Sequence, residues 1–158
     1  MNRRGHFMSV ISLASGQSAY RGYAYFEAKK VIHLESTDDG ILVGRVSGSG
    51  GKCYDVTVDT VHPRKSHCNC PHADGKRIVC KHMVAVYFTA FPKEAQKYIT
   101  DLENSWEEEE MQQQETEEKL IQYVSKLKKS ELQEALLQLL FDGPEWQYDR
   151  FIEENIGV

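Results

Sequence analysis

Cys68-Asn69-Cys70-Pro71-His72-Ala73-Asp74-Gly75-Lys76-Arg77-Ile78-Val79-Cys80-Lys81-His82 holds three of the chain's four cysteines and two of its six histidines. Cys68/Cys70 and Cys80/His82 have the same one-residue gap. Three thiolates and one imidazole nitrogen complete the tetrahedron of a structural zinc site, leaving no open position for water or substrate. Such a site builds architecture rather than running a reaction. Residues two apart on a helix differ by about 200° and face away from each other, so neither pair chelates from within a regular helix. The stretch therefore predicts Cys68 and Cys70 on one face of a short strand running into Pro71. A turn at Ala73-Asp74-Gly75-Lys76 and a return through Arg77-Ile78-Val79-Cys80 make a hairpin with ligands on both arms. Beyond it, Met83-Val84-Ala85-Val86-Tyr87-Phe88-Thr89-Ala90-Phe91 is apolar almost all round. It predicts a helix that Cys80 precedes, His82 opens and Pro92 breaks.

Upstream, Ala19 to Glu27, Val31 to Glu35, Ile41 to Val46 and Cys53 to Thr60 are short runs rich in Tyr, Val and Ile. They are separated by Lys29-Lys30, by Thr37-Asp38-Asp39-Gly40 and by Ser47-Gly48-Ser49-Gly50-Gly51, and they predict an antiparallel sheet. Asp39-Gly40 is a hairpin signal. Tyr54-Asp55-Val56-Thr57-Val58 alternates apolar and polar residues, as a strand with one buried face does. Cys53 shares the Asp55/Thr57 face and reads as a lone, half-buried thiol outside the cluster. Tyr20, Tyr23, Tyr25 and Tyr54 either stack bases or pack the sheet against the apolar helix, the latter being the simpler role. The fold class expected is α+β: a small antiparallel sheet leading into a zinc-bound hairpin and helix, then a C-terminal helical hairpin.

The Cys-x-Cys, variable spacer, Cys-x-His pattern resembles the SWIM zinc finger of bacterial helicase-like ATPases, plant Mu-type transposases and eukaryotic signalling and recombination factors. The flanks agree: Arg21-Gly22-Tyr23-Ala24-Tyr25-Phe26, Lys30-Val31, Gly44-Arg45-Val46-Ser47-Gly48-Ser49 and Tyr54-Asp55-Val56-Thr57-Val58 look like the strands preceding the finger in bacterial members. The resemblance covers roughly residues 20 to 91. It implies that Cys68, Cys70, Cys80 and His82 hold Zn2+, and that the module binds nucleic acid, DNA before RNA, or a protein. Nothing resembles a helicase or transposase catalytic domain, so those activities do not carry over.

Other readings of the same residues are weaker. A Cys-x-Cys disulfide is strained, and cytosolic metal binding suits such a pattern better. A nucleophilic Cys with a His base lacks a third orienting group. His67 and His72 flank the first pair as competitors for the fourth ligand, or are exposed hairpin residues. No Gly-Lys-Ser/Thr phosphate loop, His-Glu-x-x-His or paired acid constellation is present, and Gly48-Ser49-Gly50-Gly51 lacks the Lys and helix of a phosphate loop. The chain is not expected to be an enzyme, nor to take a small-molecule substrate.

Charge divides the chain. Residues 1–92 carry 12 Lys/Arg against 7 Asp/Glu, net +5, and residues 93–158 carry 7 against 17, net -10. Arg64, Lys65, Lys76, Arg77 and Lys81 crowd the finger; they offset the charge of about -1 on a three-thiolate zinc centre or meet phosphates. Residues 93–118, with Glu107-Glu108-Glu109-Glu110, read as an acidic linker or solvated helix. Over 119–158, Leu120, Ile121, Val124 and Leu127 and then Leu132, Ala135, Leu136, Leu139 and Leu140 recur at helical spacing. Ser130 is the expected N-cap, Gln133 its capping-box partner, and Asp142-Gly143-Pro144 the stop. The tail bearing Trp146, Tyr148 and Phe151 folds back or docks elsewhere, with packing within the chain the simpler outcome. Arg3-Arg4 and Phe7 to Ala14 only weakly imitate a signal peptide, and no run approaches the ~18 apolar residues of a membrane span. A soluble, cytoplasmic protein is expected. Its function reads as a zinc module for nucleic acid, or alternatively as an adaptor beside a separate helicase-like ATPase.

Overall fold

Residues 9–157 are described by the computed structural model; Arg3-Arg4 and Phe7-Met8 of the signal-like stretch lie outside them. In chain order they form α1 (Val10–Leu13), α2 (Gly16–Glu27), β1 (Val31–Ser36), β2 (Ile41–Ser47), β3 (Cys53–Asp59), β4 (His67–Cys68), α3 (Lys81–Ala90), α4 (Pro92–Lys126), α5 (Lys129–Asp142) and α6 (Glu145–Asn155), an α+β fold. Two compact units divide between Asn104 and Ser105, within α4.

In the first unit the four strands form one antiparallel sheet in sequential order. Gly40, at φ +77, lets the β1–β2 turn close: its N–H donates to Thr37 O, and Thr37 N–H donates to Ile41 O. A side chain at that φ is strained, which is why Asp-Gly marks the turn. Asp59 ends β3 by accepting the N–H groups of Val61 and His62 on Oδ1. The alternation read in β3 holds, with Val56 and Val58 buried and Cys53 and Asp55 exposed. Cys53 is therefore exposed rather than half-buried.

Met83, Val84, Val86 and Phe88 of α3 have no exposed surface, nor does Ala85. A helix apolar on every side must be covered on every side. The sheet covers one side and α2 the other. Both contacts need a residue without a side chain: a Cβ on Gly44 would lie 2.8 Å from Val86 Cγ2, and one on Gly22 would collide with the Val84 side chain and lie 2.9 Å from the Lys81 carbonyl oxygen. Tyr23 and Phe26 of α2 pack on Phe88 with ring centroids 6.1 and 6.2 Å apart.

Two expectations are corrected here. Ala19 to Glu27 is not a strand but most of α2. Its aromatic residues favour strands only in a pleated, half-buried setting. Here Ala19, Gly22, Tyr23 and Phe26 form a helical stripe against α3, and the Ser15 hydroxyl caps the start by accepting Ser18 N–H at 3.2 Å. The ligand segment is not a hairpin either. β4 stops at Cys68 and pairs with β3, through Val56↔Cys68 and Thr57↔His67, while Val79 on the supposed second arm makes a parallel bridge to Ala14. Each arm pairs with an element that is already ordered, and the residues between them form turns.

In the second unit the acidic stretch is the middle of α4, a solvated helix continuous with the Leu120–Val124 segment. Lys119 and Glu115 pair along it at 2.6 Å. Ser130 is not the cap of α5: the helix starts at Lys129, and Lys128 N–H donates to the Glu131 carboxylate at 2.6 Å, so Glu131 takes the place expected for Gln133. A carboxylate so near the helix start also complements the dipole, which an amide does not. The aromatic tail is α6, with Phe141 and Tyr148 rings 6.2 Å apart. Packing within this unit does not absorb the apolar stripes. Among the described residues of this unit only Leu140 is a buried hydrophobic, whereas Leu120, Leu139, Phe141 and Trp146 are each at least 60% exposed. No helix among the described residues is long and apolar enough to cross a membrane.

Gly22→Ala is expected to lower the unfolding free energy by about 1–3 kcal/mol through overpacking, although Ala is the better helix former. Gly16→Ala, at the start of the same helix with nothing within 4 Å of a new Cβ, should not. Urea unfolding of the two proteins checks this; equal stabilities would mean that α2 can draw back from α3.

Candidate metal centre

Cys68 sits where β4 ends, placed by the β3 ladder. Asn69 ties the pair to the sheet, since its Oδ1 accepts Asp55 N–H at 3.0 Å and its own N–H donates to Asp55 O at 3.3 Å. Cys70 opens the turn, its carbonyl accepting from Ala73 and Asp74 N–H at 3.0 and 2.9 Å. Cys80 is the residue before α3, and His82 lies in the first turn of that helix. Sheet, turn and helix thus each contribute donors, as the one-residue gaps require.

The four donor atoms lie within 4.8 Å of one another, with His82 Nδ1 3.7 Å from Cys68 Sγ and 4.0 Å from Cys80 Sγ. Metal–sulfur bonds of ~2.3 Å and metal–nitrogen bonds of ~2.0–2.1 Å imply tetrahedral edges of about 3.6–3.8 Å. A small contraction therefore closes the shell on a metal ion. All four residues are 4% exposed or less, so the donors are shielded from bulk solvent. Neither competitor joins them: His67 lies 3.7 Å from Asp74 on the surface, and His72 is exposed. Cys53 is outside the cluster.

The cluster is primed electrostatically. The Cys80 thiol is pulled down to about 4, first by the hydrogen bond from the Cys68 thiol and then, against burial, by His82 and the N–H groups of Met83 and His82 at the helix start. Cys68 is pushed the other way by that bond and by burial. The His82 ring is held between two tyrosines, stacked on Tyr54 with centroids 4.6 Å apart and edge-on to Tyr25 at 5.4 Å. Lys81 Nζ donates to the Tyr25 hydroxyl at 2.8 Å and lies 4.3 Å from that ring's centre; the bond lowers the phenol's pKa. Sequence reading missed this support of the ligand ring. The inward phase of Tyr54 in β3 hinted at it, but Tyr25 reaches His82 only because residues 16–27 are helical.

The five basic residues separate. Arg64 and Lys65 sit in a short 3-10 turn, Pro63–Lys65, and with Arg77 they line one open groove of about 510 Å³, together with Leu13, Pro63, Ser66, Ile78 and Val79. Lys76 is an exposed turn residue outside it. Lys81 lines a different cavity, bordered by the metal ligands.

Four buried donors of this kind, supplied by a strand end, a turn and a helix start, define a structural metal finger of the three-cysteine, one-histidine class. Residues 54–91 match the SWIM zinc finger family, so the chain carries a SWIM zinc finger running from β3 to the end of α3. No curated protein and no solved structure matches the chain.

Removing the metal with a chelator, or replacing Cys80 by Ser, should melt the first unit rather than stop a chemical step, since structural metal contributes on the order of 10 kcal/mol to small domains. Metal content and thermal unfolding check this. A Cys80→Ser protein with undiminished metal and an unchanged midpoint would contradict it, and Cys53→Ser should retain the full metal complement.

Proposed function

We propose that the chain is a zinc-dependent nucleic-acid-binding module without catalytic activity, taking DNA in preference to RNA. Zinc fits the donor set best, because soft thiolates with one imidazole in a closed tetrahedral shell suit that ion. The observation that carries the reading is the groove in which Arg64, Lys65 and Arg77 converge with no Asp or Glu among the residues lining it. Three cations sharing one concave surface focus a positive field on a polyanion. Zinc acts by organisation. The turn carrying Arg64 and Lys65 is tied to β3 by Ser66 Oγ, which accepts Asp59 N–H at 3.1 Å. Arg77 lies on the ligand segment between Cys70 and Cys80, so both walls of the groove depend on the metal-bound framework.

Fluorescence anisotropy with labelled single- and double-stranded DNA and RNA tests this. Saturable, salt-sensitive binding is expected. Joint reversal of Arg64, Lys65 and Arg77 to Glu should abolish it, with the slope of log K against log salt falling by about 2–3 as three phosphate contacts are lost. Failure of the metal-loaded protein to bind any of them at low salt would sink the proposal.

A second reading, an adaptor that recruits another protein such as a separate helicase-like ATPase, is favoured by the exposed Leu136, Leu139 and Phe141 side chains of α5. Introducing Glu at Leu132, Leu136 and Leu139 should abolish such an interaction and leave DNA binding intact.

A further inference from the structure

Ala14 and Val79 form an isolated parallel bridge, and the chain on either side of it faces two different recesses. Leu13 and Ile78 line the Arg64/Lys65/Arg77 groove. Ser15 and Cys80, the next residues along each strand of the bridge, line a second cavity of about 320 Å³. That cavity contains Arg21 and Lys81 and, like the groove, has no Asp or Glu among its lining residues. The bridge therefore lies between two cationic recesses. At the ~3.3 Å rise of extended chain, Leu13 and Ser15 are about 7 Å apart, on the order of two nucleotides at 3.4 Å of axis each.

The second cavity is chemically selective. Charge compensation of the thiolates accounts for one cation at most, because three thiolates and a neutral imidazole leave zinc at about -1. Lys81 is turned onto the Tyr25 hydroxyl and ring, and Arg21 lies on α2, a separate element. Among the described residues neither is paired with a carboxylate. The wall also carries Gln17, Ser49, Tyr54 and Ser18, the last nine-tenths buried. Gln17 and Ser18 belong to the first turn of α2, whose dipole adds positive potential there. Guanidinium, ammonium, hydroxyl and amide donors without an opposing carboxylate are the donor set of a phosphate seat.

We infer that the Arg21/Lys81 cavity seats a backbone phosphate of the nucleic acid, so that one strand crosses the Ala14–Val79 bridge with phosphates held on both sides. The inference rests on the nucleic-acid reading above and adds to it a second contact site and a path. A free phosphate offers the same chemistry, so the test has two arms.

In the first arm, zinc-loaded Arg21→Gln and Lys81→Gln proteins are titrated with labelled DNA across a salt series. Each should bind several-fold more weakly, to the same extent for unrelated sequences, with the salt slope reduced by about 1. Arg21→Gln is the cleaner variant, since Arg21 is exposed and Lys81→Gln also loses the Tyr25 bond; an unchanged metal content and unfolding midpoint certify each. In the second arm, inorganic phosphate is titrated into the wild-type chain while the amide resonances of Gln17 and Ser18 are followed by NMR. Shifts that vanish in Arg21→Gln are expected. Unchanged affinity and slope in both variants, with binding still lost when Arg64, Lys65 and Arg77 are reversed, overturn the second seat and leave the groove reading intact. If wild-type protein binds no DNA, the groove reading fails with the strand path. Phosphate-induced shifts in that case assign the cavity to free phosphate instead, and their absence removes the seat altogether.

Discussion

The buried cluster of Cys68, Cys70, Cys80 and His82, a possible metal site, is the constraint around which the first unit is arranged. The four donors join the end of a two-residue strand, a turn and the start of a helix. Three thiols and an imidazole gathered in an interior repel one another once the thiols ionise, unless an ion lies between them. An ion removes that frustration and converts the cluster into a rigid corner. Because α3 begins at this corner, the metal also sets where the most buried helix of the chain enters the core.

That helix explains the rest of the unit. Val84, Val86 and Phe88 need cover from opposite sides, which the sheet and α2 supply, and glycines at positions 22 and 44 permit the close approach. The same packing brings Tyr25 and Tyr54 onto the His82 ring, so the core and the ligand shell share residues. Orientation of a metal-bound imidazole by its neighbours is a general device for tuning such sites. Here aromatic faces hold the ring, and Lys81 is anchored on one of them.

The clustering of Cys68, Cys70, Cys80 and His82 was legible because coordination chemistry imposes residue type and spacing locally, within fifteen residues. The strands of residues 31–59 were legible for the same kind of reason: period-two alternation and Asp-Gly turn chemistry are short-range signals. Residues 19–27 were not, since Tyr and Phe at those positions satisfy a strand propensity as well as a helical stripe, and only the presence of α3 chooses between them. The cap of α5 was displaced from Ser130 to Lys128 because a carboxylate at Glu131 lay within reach of that backbone N–H, a competition that a serine-based pattern does not weigh.

The basic residues give the sharpest contrast between the two levels. Five cations near the finger were evident in the sequence, but their spacing did not say which of them act together, because the turns between 59 and 81 have no period that carries direction. Tertiary structure gathers Arg64, Lys65 and Arg77 into one groove, leaves Lys76 outside it, and puts Lys81 with Arg21, a residue sixty positions away. Sequence by itself determined the donor set, the α+β class and the division of charge, all of which follow from residue identity and local spacing. Which side chains share a surface was decided only by the fold, because the Ala14–Val79 bridge and the seating of α2 on α3 are long-range contacts that no local pattern encodes.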